Sequence, residues 1–345
     1  MPRIIVAPLN WGLGHASRCV PIIRFLIENK YTPILASDGN ALLFLQKEFP
    51  HLEYIELPSY QISYSKNLRG HLFLQTPKIL KAVRKEREVI ENFVSKNKVV
   101  GIISDNRFGV RSKKVPSVYI THQLKVLSGV FTFITSKIHQ MIIRKFDECW
   151  IPDVKTSHFS GKLSIFKNSQ IKAKYIGVLS RFKKETSPVI YDVLIILSGI
   201  ESQRSQLEKQ LISVFKNYKG RVVFVLGKVE ARQKKIIENK QIIYNFLLTE
   251  ELQKRINQSA VIVCRSGYSS IMDLAVLHKK VFFIPTKNQS EQEYLARLLN
   301  EKREAPFSSQ EEFSIKLLEK CENYKGLTSI ETNLNLTLFR LFKSE

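Results

Sequence analysis

The sequence opens with Ile4-Ile5-Val6 and continues, after a short break, with Asn10-Trp11-Gly12-Leu13-Gly14-His15-Ala16-Ser17-Arg18. The apolar run is typical of a buried strand, and residues 20–28 have the apolar spacing of a helix. A buried strand that runs through a glycine turn into a helix is how α/β proteins build an anion site. This stretch therefore predicts an α/β fold with a ligand crevice at its first turn.

His15 and Arg18 lie at the exit of this turn. A histidine at the mouth of a crevice can accept a proton near neutral pH, which suits a general base. The alternative is that His15 only caps the turn. Because glycines, a histidine and an arginine come together directly after the first strand, the sequence favours catalysis by His15. Gly12, Gly14 and Arg18 are assigned to the acceptor side of the site.

The composition is that of a globular protein with two domains. The chain has 345 residues, of which 44% are hydrophobic and 25% are charged, and this length exceeds what one core usually supports. Its four cysteines lie far apart in the sequence, so we expect reduced core residues and no disulfide or zinc site. The first residues lack the long apolar segment of a signal peptide, which favours a cytoplasmic location.

The charge balance favours an anionic partner, and the alternative is that part of it reflects a lysine-rich proteome. Lysine and arginine number 54 against 31 aspartates and glutamates, which gives a net charge of +23. Such an excess favours nucleic acid, an acidic lipid surface or a phosphorylated substrate. The basic residues are scattered along the chain without an aromatic-rich nucleic-acid motif, so a nucleic-acid partner is not expected.

Strand and helix patterns alternate along the chain and restart once. The first series of predicted strands covers residues 4–6, 32–36, 54–57, 99–104, 117–121, 148–151 and 174–176, and the second covers 192–197, 221–226, 242–245, 260–264 and 281–284. The predicted helices cover residues 20–28, 41–48, 77–94, 201–216, 250–258, 269–276 and 289–300. Continuous apolar strands that alternate with helices predict parallel sheets covered on both faces.

The restart near residue 190 follows a polar stretch at 180–188, which indicates a linker. We therefore predict two Rossmann-like domains, residues 1–185 and 190–330, that face each other across a cleft. A helical pattern at 332–342 lies in a final segment, 331–345, that we expect to pack back on the first domain.

The segment 126–143 is unusually apolar and has basic neighbours. Lys125, Arg144 and Lys145 flank it, and Lys137 interrupts it. Its uncharged stretch is too short to span a bilayer. It predicts either a helix that lines the core or the cleft, which the sequence favours, or an amphipathic helix that rests on an anionic membrane surface.

The second half carries three polar turns, each directly after a predicted strand. In Cys264-Arg265-Ser266-Gly267 the glycine suits a tight turn, Ser270 can cap the next helix, and the N-terminus of that helix attracts phosphate. One turn further along, Asp273 could accept hydrogen bonds from a ribose diol. The alternative is that this carboxylate only complements the helix dipole.

The other two turns follow the strands at 281–284 and 192–197. The polar cluster after the first contains Gln292 and Glu293, whose amide and carboxylate suit sugar hydroxyls. After the second, Ser198 and Gly199 can hold a phosphate that Arg204 neutralises. Ligands of doubly wound sheets bind outside the carboxyl ends of the strands, so the three turns predict one nucleotide-diphosphate site. The sequence has no Walker motif and no Asp-x-Asp pair, and we expect neither a metal nor another cofactor.

Two polar clusters also follow strands of the first half. They contain Asp105, Asn106, Arg107 and His122. Asp105 could orient His15 or act as a partner base. The other three could bind an acceptor, with His122 as a second candidate base. The alternative is a buried hydrogen-bond network that supports the loops, and the sequence does not decide between the two.

These motifs resemble those of the GT-B glycosyltransferases, and in particular family 28, which includes the lipid-linked N-acetylglucosaminyltransferase of peptidoglycan synthesis. A glycine-rich loop that ends in Gly-His follows the first strand in that family, as Gly14-His15 does here. The resemblance implies that the Ser-Gly turns face a diphosphate and that Asp273 holds the ribose of UDP. It also implies that Gln292 and Glu293 contact the donor sugar and that the backbone near Leu247 reads the uracil. The middle of the first domain differs from the peptidoglycan enzyme, so its lipid acceptor is not assigned.

The resemblance implies a metal-independent, inverting transfer of N-acetylglucosamine or a related hexose from a UDP-sugar to a hydroxyl of a glycan or lipid-linked acceptor. His15 would be the general base, and the enzyme would act in cell-envelope synthesis at the inner face of the plasma membrane. The stretch from Gly12 to Cys19 is also similar to a UDP-sugar hydrolase of pseudaminic-acid synthesis, in which the histidine activates water. A nucleotide-sugar-binding protein without turnover is the third alternative.

Overall fold

The structure is a computed structural model that describes residues 1–60, 68–156, 158–165, 170–238, 240–330 and 334–343. The chain forms two compact units. Unit 1 comprises the described residues of Met1–Asn10, Arg18–Leu179 and Thr332–Glu345, and unit 2 comprises those of Trp11–Ser17 and Ser180–Glu331. The glycine turn at the start of the sequence therefore groups with unit 2.

Unit 1 is built on a seven-stranded sheet. Its strands are β1 (Arg3–Pro8), β2 (Thr32–Ser37), β3 (Tyr54–Glu56), β4 (Val99–Asp105), β5 (Ser117–Ile120), β6 (Glu148–Ile151) and β7 (Ala173–Tyr175). They lie in the order β3-β2-β1-β4-β5-β6-β7, and every neighbouring pair is parallel. The helices are α1 (Gly14–Glu28), α2 (Gly39–Glu48), α3 (Leu68–Lys96) and α4 (Thr132–Ile143), with 3₁₀ helices at Gly129–Phe131, Gly161–Leu163 and Leu338–Phe342.

Strand β1 lies in the middle of this sheet and is buried on both faces. Its residues Ile4, Ile5, Val6 and Ala7 have no exposed surface. Because successive side chains of a strand point to opposite faces, both faces of the sheet are covered. That is the environment in which parallel sheets occur, and the predicted α/β class is confirmed.

The C-terminal segment packs within unit 1. The ring of Phe339 stacks on Phe25 with 4.8 Å between centroids and meets the edge of Trp150 at 5.3 Å. Phe342 lies against Gly101 of β4 so closely that a Cβ there would overlap its ring. Of the predicted helix at 332–342, only Leu338–Phe342 is helical, and it is a 3₁₀ helix. Residues 331–333 and 344–345 of the predicted segment lie outside the described residues.

Unit 2 is built on a six-stranded sheet. Its strands are β8 (Tyr191–Ile196), β9 (Val222–Val225), β10 (Lys235–Glu238), β11 (Gln241–Tyr244), β12 (Ser259–Cys264) and β13 (Lys280–Phe283), in the order β10-β11-β9-β8-β12-β13. The helices are α5 (Glu201–Phe215), α6 (Thr249–Asn257), α7 (Tyr268–Val276) and α8 (Ser290–Glu301), with a 3₁₀ helix at Ile315–Asn323. Its core includes Val193, Leu211, Phe224 and Phe282.

One strand departs from the predicted parallel pattern. β10 pairs antiparallel with β11, and the sequence analysis did not predict it. All four of its residues are exposed, so it lacks the buried apolar run by which most of the other strands were found. The remaining pairs of this sheet are parallel, as predicted.

Two helices begin earlier than the sequence indicated. α1 starts at Gly14 rather than residue 20, and α3 starts at Leu68 rather than Pro77. Proline is common in the first turn of a helix, which made position 77 look like a start, but here it lies inside the helix.

Candidate functional site

In unit 1, an ion pair joins α1 to the carboxyl end of β4. The guanidinium of Arg18 donates through Nε and Nη2 to the two carboxylate oxygens of Asp105, and both side chains are buried. Nη1 of Arg18 lies 3.2 Å from Nδ1 of His122. Because arginine only donates, Nδ1 is the acceptor, and the proton of the neutral His122 ring resides on Nε2. The structure thus brings together three predicted site residues, with both oxygens of Asp105 held by Arg18.

Beside this ion pair lies a buried group of aromatic and polar side chains. Asn106 has a positive φ of 58°, which few residues other than glycine adopt. Its Oδ1 accepts a hydrogen bond of 3.0 Å from the hydroxyl of Tyr119, which in turn lies 3.1 Å from Nε2 of His139. Burial lowers the pKa of His139 to about 4. A strained residue among buried polar groups at a strand end is typical of a functional site.

His139 was not predicted as a site residue. It lies in the apolar segment 126–143, and its position on the buried face of α4 is evident only once that helix is placed. The sequence signal was a single histidine among hydrophobic residues, which is more often a core residue than a ligand contact.

Arg107, predicted to bind the acceptor, is fully buried and cross-links α3 to the segments that follow β2 and β3. It donates to Glu86, to Asp38 at 2.7 Å and to the carbonyl of Pro58 at 2.9 Å. Burial raises the pKa of Glu86, while the nearby guanidinium of Arg107 opposes that shift. The hydroxyl of Tyr60 donates to the same carboxylate at 2.8 Å. These contacts form a buried hydrogen-bond network that supports the loops, which is the alternative role expected for Arg107.

In unit 2, the glycine turn that carries His15 lies against two of the predicted phosphate turns. Gly12 has a φ of 68°, and a Cβ there would lie 3.7 Å from Cα of Gly199. The hydroxyl of Ser269 donates to the carbonyl of Gly14 at 2.8 Å, and a Cβ on Gly14 would lie 3.2 Å from that hydroxyl. The partly exposed His15 follows directly in the chain, so the turn holds it next to the start of α7.

Gly199 and Gly267 lie just before the helices α5 and α7. Gly199 has a φ of 106°, and no atom of the described residues lies within 4 Å of the place where its Cβ would be. Gly267 is the N-cap residue of α7. Backbone N–H groups at such helix starts bind phosphate. Ser266 is buried and its hydroxyl donates to the carbonyl of Gln292, whereas Ser270 is partly exposed on the first turn of α7.

The structure gives Arg204 a role that the sequence did not predict. Its guanidinium donates to the carboxylates of Glu201 and Glu208, to the carbonyl of Leu226 and to the hydroxyl of Ser205. These contacts use all five of its N–H groups. Arg204 therefore stabilises the start of α5 with its charge already balanced.

Arg265 differs in that, within the part of the chain that the structure describes, its hydrogen bonds go to neutral groups. It donates to the carbonyls of Ile284 and Pro285, each at 3.0 Å, and to Oε1 of Gln310 at 2.9 Å. Burial lowers the pKa of Arg265 to about 10. Its charge is buried beneath the N-terminal end of α7 without a hydrogen-bonded carboxylate, which makes this strand end attractive to an anion.

Asp273 lies on α7 and is held by Ser180 and Arg181, which begin the Ser180–Glu331 segment of unit 2. Its Oδ1 accepts hydrogen bonds from the hydroxyl of Ser180 at 2.9 Å and from the backbone N–H of Arg181 at 3.2 Å. Its Oδ2 lies 3.4 Å from Nε of Arg181. Burial raises the pKa of Asp273, and the charge of Arg181 opposes this shift.

The remaining predicted donor contacts lie after β13 and β11. Oε1 of Gln292 accepts from the backbone N–H of Thr286 at 2.9 Å, which turns its amide Nε2 away from that backbone. Glu293 accepts from the backbone N–H of Asn288 at 3.0 Å. Leu247 is buried in the loop after β11. Among the described residues, no three His, Cys, Asp or Glu side chains are grouped so as to hold a metal ion.

Comparisons with known proteins agree with this geometry. The model of the Glycosyltransferase family 28 C-terminal domain matches residues 193–325. This range contains the turns after β8, β11, β12 and β13. It does not contain the glycine turn at 11–17 or residues 180–181. A search of curated protein sequences found no match.

Several solved structures are similar to the chain over most of its length. The glycosyltransferase SnogD from Streptomyces nogalater is 9% identical, with 93% of this chain and 91% of that chain covered and a TM-score of 0.62. MurG from Acinetobacter baumannii is 12% identical, with 92% and 89% covered and a TM-score of 0.51. A UDP-glucosyltransferase from Polygonum tinctorium is 10% identical, with 89% and 85% covered and a TM-score of 0.58. At these identities the likeness shows the fold.

The fold is that of the GT-B glycosyltransferases, as the sequence predicted. Its second unit carries a glycosyltransferase family 28 C-terminal domain. The resemblance of the chain to this group is confirmed in its fold and, over residues 193–325, in its sequence.

Proposed function

We propose that this protein transfers N-acetylglucosamine or a related hexose from a UDP-sugar to a hydroxyl of a glycan or lipid-linked acceptor, with inversion and without a metal. The observation that carries the proposal is the packing of the glycine turn. Gly12 lies against Gly199 and Gly14 is bonded to Ser269, so His15 sits beside the turns that suit a diphosphate. The family 28 match over the same turns supports a nucleotide-sugar donor.

In this mechanism His15 takes the proton of the acceptor hydroxyl as its oxygen forms a bond to the anomeric carbon of the donor. The bond from that carbon to the diphosphate breaks, and UDP leaves with the electron pair. Negative charge then grows on the diphosphate. The N–H groups at the starts of α5 and α7, together with the buried cation of Arg265, stabilise that charge as a metal ion would elsewhere.

The ion pair of unit 1 has a supporting role in this proposal. Asp105 positions Arg18, because both of its oxygens accept from the guanidinium. Arg18 in turn fixes the tautomer of His122, whose Nδ1 is already an acceptor. Because Nδ1 of His122 is taken up by Arg18, His15 remains the base in this proposal.

A panel of UDP-sugars, assayed for UDP release with and without lipid extract, tests the reaction. We expect His15→Ala to keep UDP binding and to lose about 10² to 10⁴ in turnover, the usual contribution of a general base. His51→Ala, which changes an exposed histidine of unit 1, is the matched control and should keep full activity. Turnover retained in His15→Ala would remove this residue from the mechanism. Release that needs no acceptor would favour the hydrolase, and binding without release in any arm would favour a binding protein.

Titration of UDP tests the donor site separately. Oδ2 of Asp273 lies 3.4 Å from Nε of Arg181, a long contact, so in this proposal it is the oxygen that a ribose diol would contact. We expect Asp273→Asn to weaken UDP binding about tenfold, in line with a lost charge-assisted hydrogen bond. Glu185→Gln, a change on the exposed surface, is the control. Equal affinity of Asp273→Asn and the control would refute the ribose contact.

We further propose that α4 rests on the anionic inner face of the plasma membrane. Its side chains Phe133, Ile134, Ile138 and Met141 are 49–68% exposed, and Lys137 lies among them. The opposite face of the helix, with Ser136, His139 and Ile143, is buried. An exposed apolar stripe that carries basic residues suits the boundary between lipid headgroups and acyl chains. Among the described residues, no helix is long and apolar enough to cross a bilayer.

Co-sedimentation with vesicles of anionic or zwitterionic lipid tests this second proposal. We expect binding to anionic vesicles that falls at least tenfold in the double variant Phe133→Ser, Ile138→Ser. Ile27→Ser changes one exposed apolar residue of α1 and should bind like the wild type. Equal sedimentation of both variants, or no preference for anionic lipid, would contradict the proposal.

A further inference from the structure

Strand β10 leaves one edge of the unit 2 sheet open. It is the terminal strand in the sheet order, and its described neighbour is β11. All four residues are exposed, with Ile236 at 51% and Ile237 at 64%. An exposed edge strand with apolar side chains is a template for pairing with another strand, and natural proteins usually blunt such edges.

The pairing of β10 with β11 shows which backbone groups face outward. Ile236 is opposite Ile243, and the backbone N–H of Asn245 donates to the carbonyl of Lys234 at 3.2 Å. Hydrogen-bonded and non-hydrogen-bonded positions alternate in an antiparallel pair. The backbone groups of Lys234, Ile236 and Glu238 therefore face β11, while those of Lys235 and Ile237 point to the open edge.

The sequence of this edge is complementary to itself. When two copies pair antiparallel about a two-fold axis at Ile236, Lys235 of one copy lies opposite Ile237 of the other, so the outward groups meet. Lys234 then lies opposite Glu238 of the second copy, and the two Ile236 side chains meet between these ion pairs. Residues 234, 236 and 238 share one face of the strand, so the two opposite-charge pairs and the apolar contact form one row.

A register shifted by one residue does not pair opposite charges in this way. With the axis at Ile237, Lys234 would lie opposite Lys240 of the second copy, and Glu238 would lie opposite Ile236. Like charges that face each other across a ladder are destabilising. The charge pattern thus selects the register centred on Ile236.

We propose that this protein forms a two-fold dimer in which β10 of one copy pairs with β10 of another and joins the two sheets into one. The contact is small, and two chains of charge +23 repel each other. The dimer is therefore weak, and salt strengthens it, because screening removes more repulsion between whole chains than attraction within the pairs. The proposal is independent of the transfer reaction.

Sedimentation velocity on the full chain at about 100 µM, a concentration at which small interfaces become populated, tests the dimer at low and high salt. Glu238→Lys turns both ion pairs into repulsive pairs and should weaken association roughly tenfold or more. The triple variant Glu230→Lys, Lys234→Glu, Glu238→Lys exchanges the charges and keeps an opposite-charge pair at positions 230 and 234, where Nζ of Lys234 lies 2.8 Å from Glu230, so it should restore association. Glu185→Lys adds the same charge away from β10 and should associate nearly as the wild type does.

A second variant tests the backbone contacts. Ile237→Pro removes an N–H that points to the open edge and leaves the hydrogen bonds to β11 in place, so it should abolish the dimer without unfolding unit 2. A wild type that stays monomeric at high salt would overturn the proposal, as would failure of the charge exchange to restore pairing. Loss of the dimer in the α4 variant Phe133→Ser, Ile138→Ser would assign the interface to α4 instead. A wild type that pairs only with an added extended acidic peptide would likewise replace the second copy as the occupant.

Discussion

Protonation of His139 should control the acid stability of unit 1. The ring lies on the buried face of α4, with Nε2 3.1 Å from the hydroxyl of Tyr119 and its ring edge-on to Phe108. Burial lowers its pKa from 6.5 to about 4. The folded protein therefore holds this histidine neutral over a pH range in which the unfolded chain binds a proton.

The size of the effect follows from the two pKa values. A difference of about 2.5 units corresponds to at most about 3 kcal/mol of unfolding free energy. The contribution is complete above pH 6.5 and is lost as the pH falls towards 4, because in that window the unfolded state binds more protons. Between pH 7.5 and pH 5 the loss from this one group should be about 2 kcal/mol.

Denaturant unfolding at a series of pH values, followed by tryptophan fluorescence, measures this loss. Other groups also titrate, so the useful quantity is the difference between the wild type and His139→Gln, which keeps a donor for Tyr119 but does not titrate. We expect the variant to be less stable at pH 7.5 and to lose about 2 kcal/mol less than the wild type on going to pH 5. His51→Gln, at an exposed position, should follow the wild type. Parallel curves for the wild type and His139→Gln would refute the burial argument.

Three further changes have expected outcomes. Gly101→Ala should lower unfolding free energy by about 1–3 kcal/mol in thermal or denaturant melts, because its Cβ would overlap Phe342, and Phe342→Ala should relieve part of that overlap. Arg107→Met should cost about 3–5 kcal/mol, because it leaves Glu86 buried without its cation, and the double variant Arg107→Met, Glu86→Gln should recover much of the loss. Gly14→Ala should lower turnover with little change in stability, since its Cβ would crowd the Ser269 hydroxyl at 3.2 Å; unchanged turnover would mean that this contact does not position the turn.

Most of the fold could be predicted because its strands are buried on both faces. Runs such as those of β1 and β12 contain enough consecutive apolar residues to be recognised without any partner. β10 could not be found in this way, since its pairing with β11 rather than burial makes it a strand. The start of α1 was missed for a related reason: glycine and histidine are weak helix formers. At the start of this helix, the hydroxyls of Ser17 and Ser269 both donate to the carbonyl of Gly14.

The candidate site was predicted less completely, because its chemistry depends on partners that are distant in sequence. Arg18 and Asp105 were both named as site residues, but their pairing spans 87 positions and has no local signature. The same is true of Asp273, which is held by Ser180 and Arg181. The turns themselves were predictable, since glycine, serine and a helix start are adjacent in the chain.

The buried arginines show how the site can favour an anion in a chain that is basic throughout. Arg18, Arg107 and Arg204 were all predicted to meet ligands, and each is paired with a buried or partly buried carboxylate. Their charges are balanced within the protein, so they fix loops and add little to the field that a diphosphate meets. Among the described residues, the acceptors of Arg265 are neutral, and the carboxylate that acts on it from a distance, Glu311, is itself paired with Lys287. An anion bound at the start of α7 would supply the negative partner that Arg265 lacks. The net charge of +23 is then not needed to attract the anion to this site. UDP binding should therefore depend on Arg265 far more than on the exposed lysines, and it should weaken only modestly as salt screens the surface.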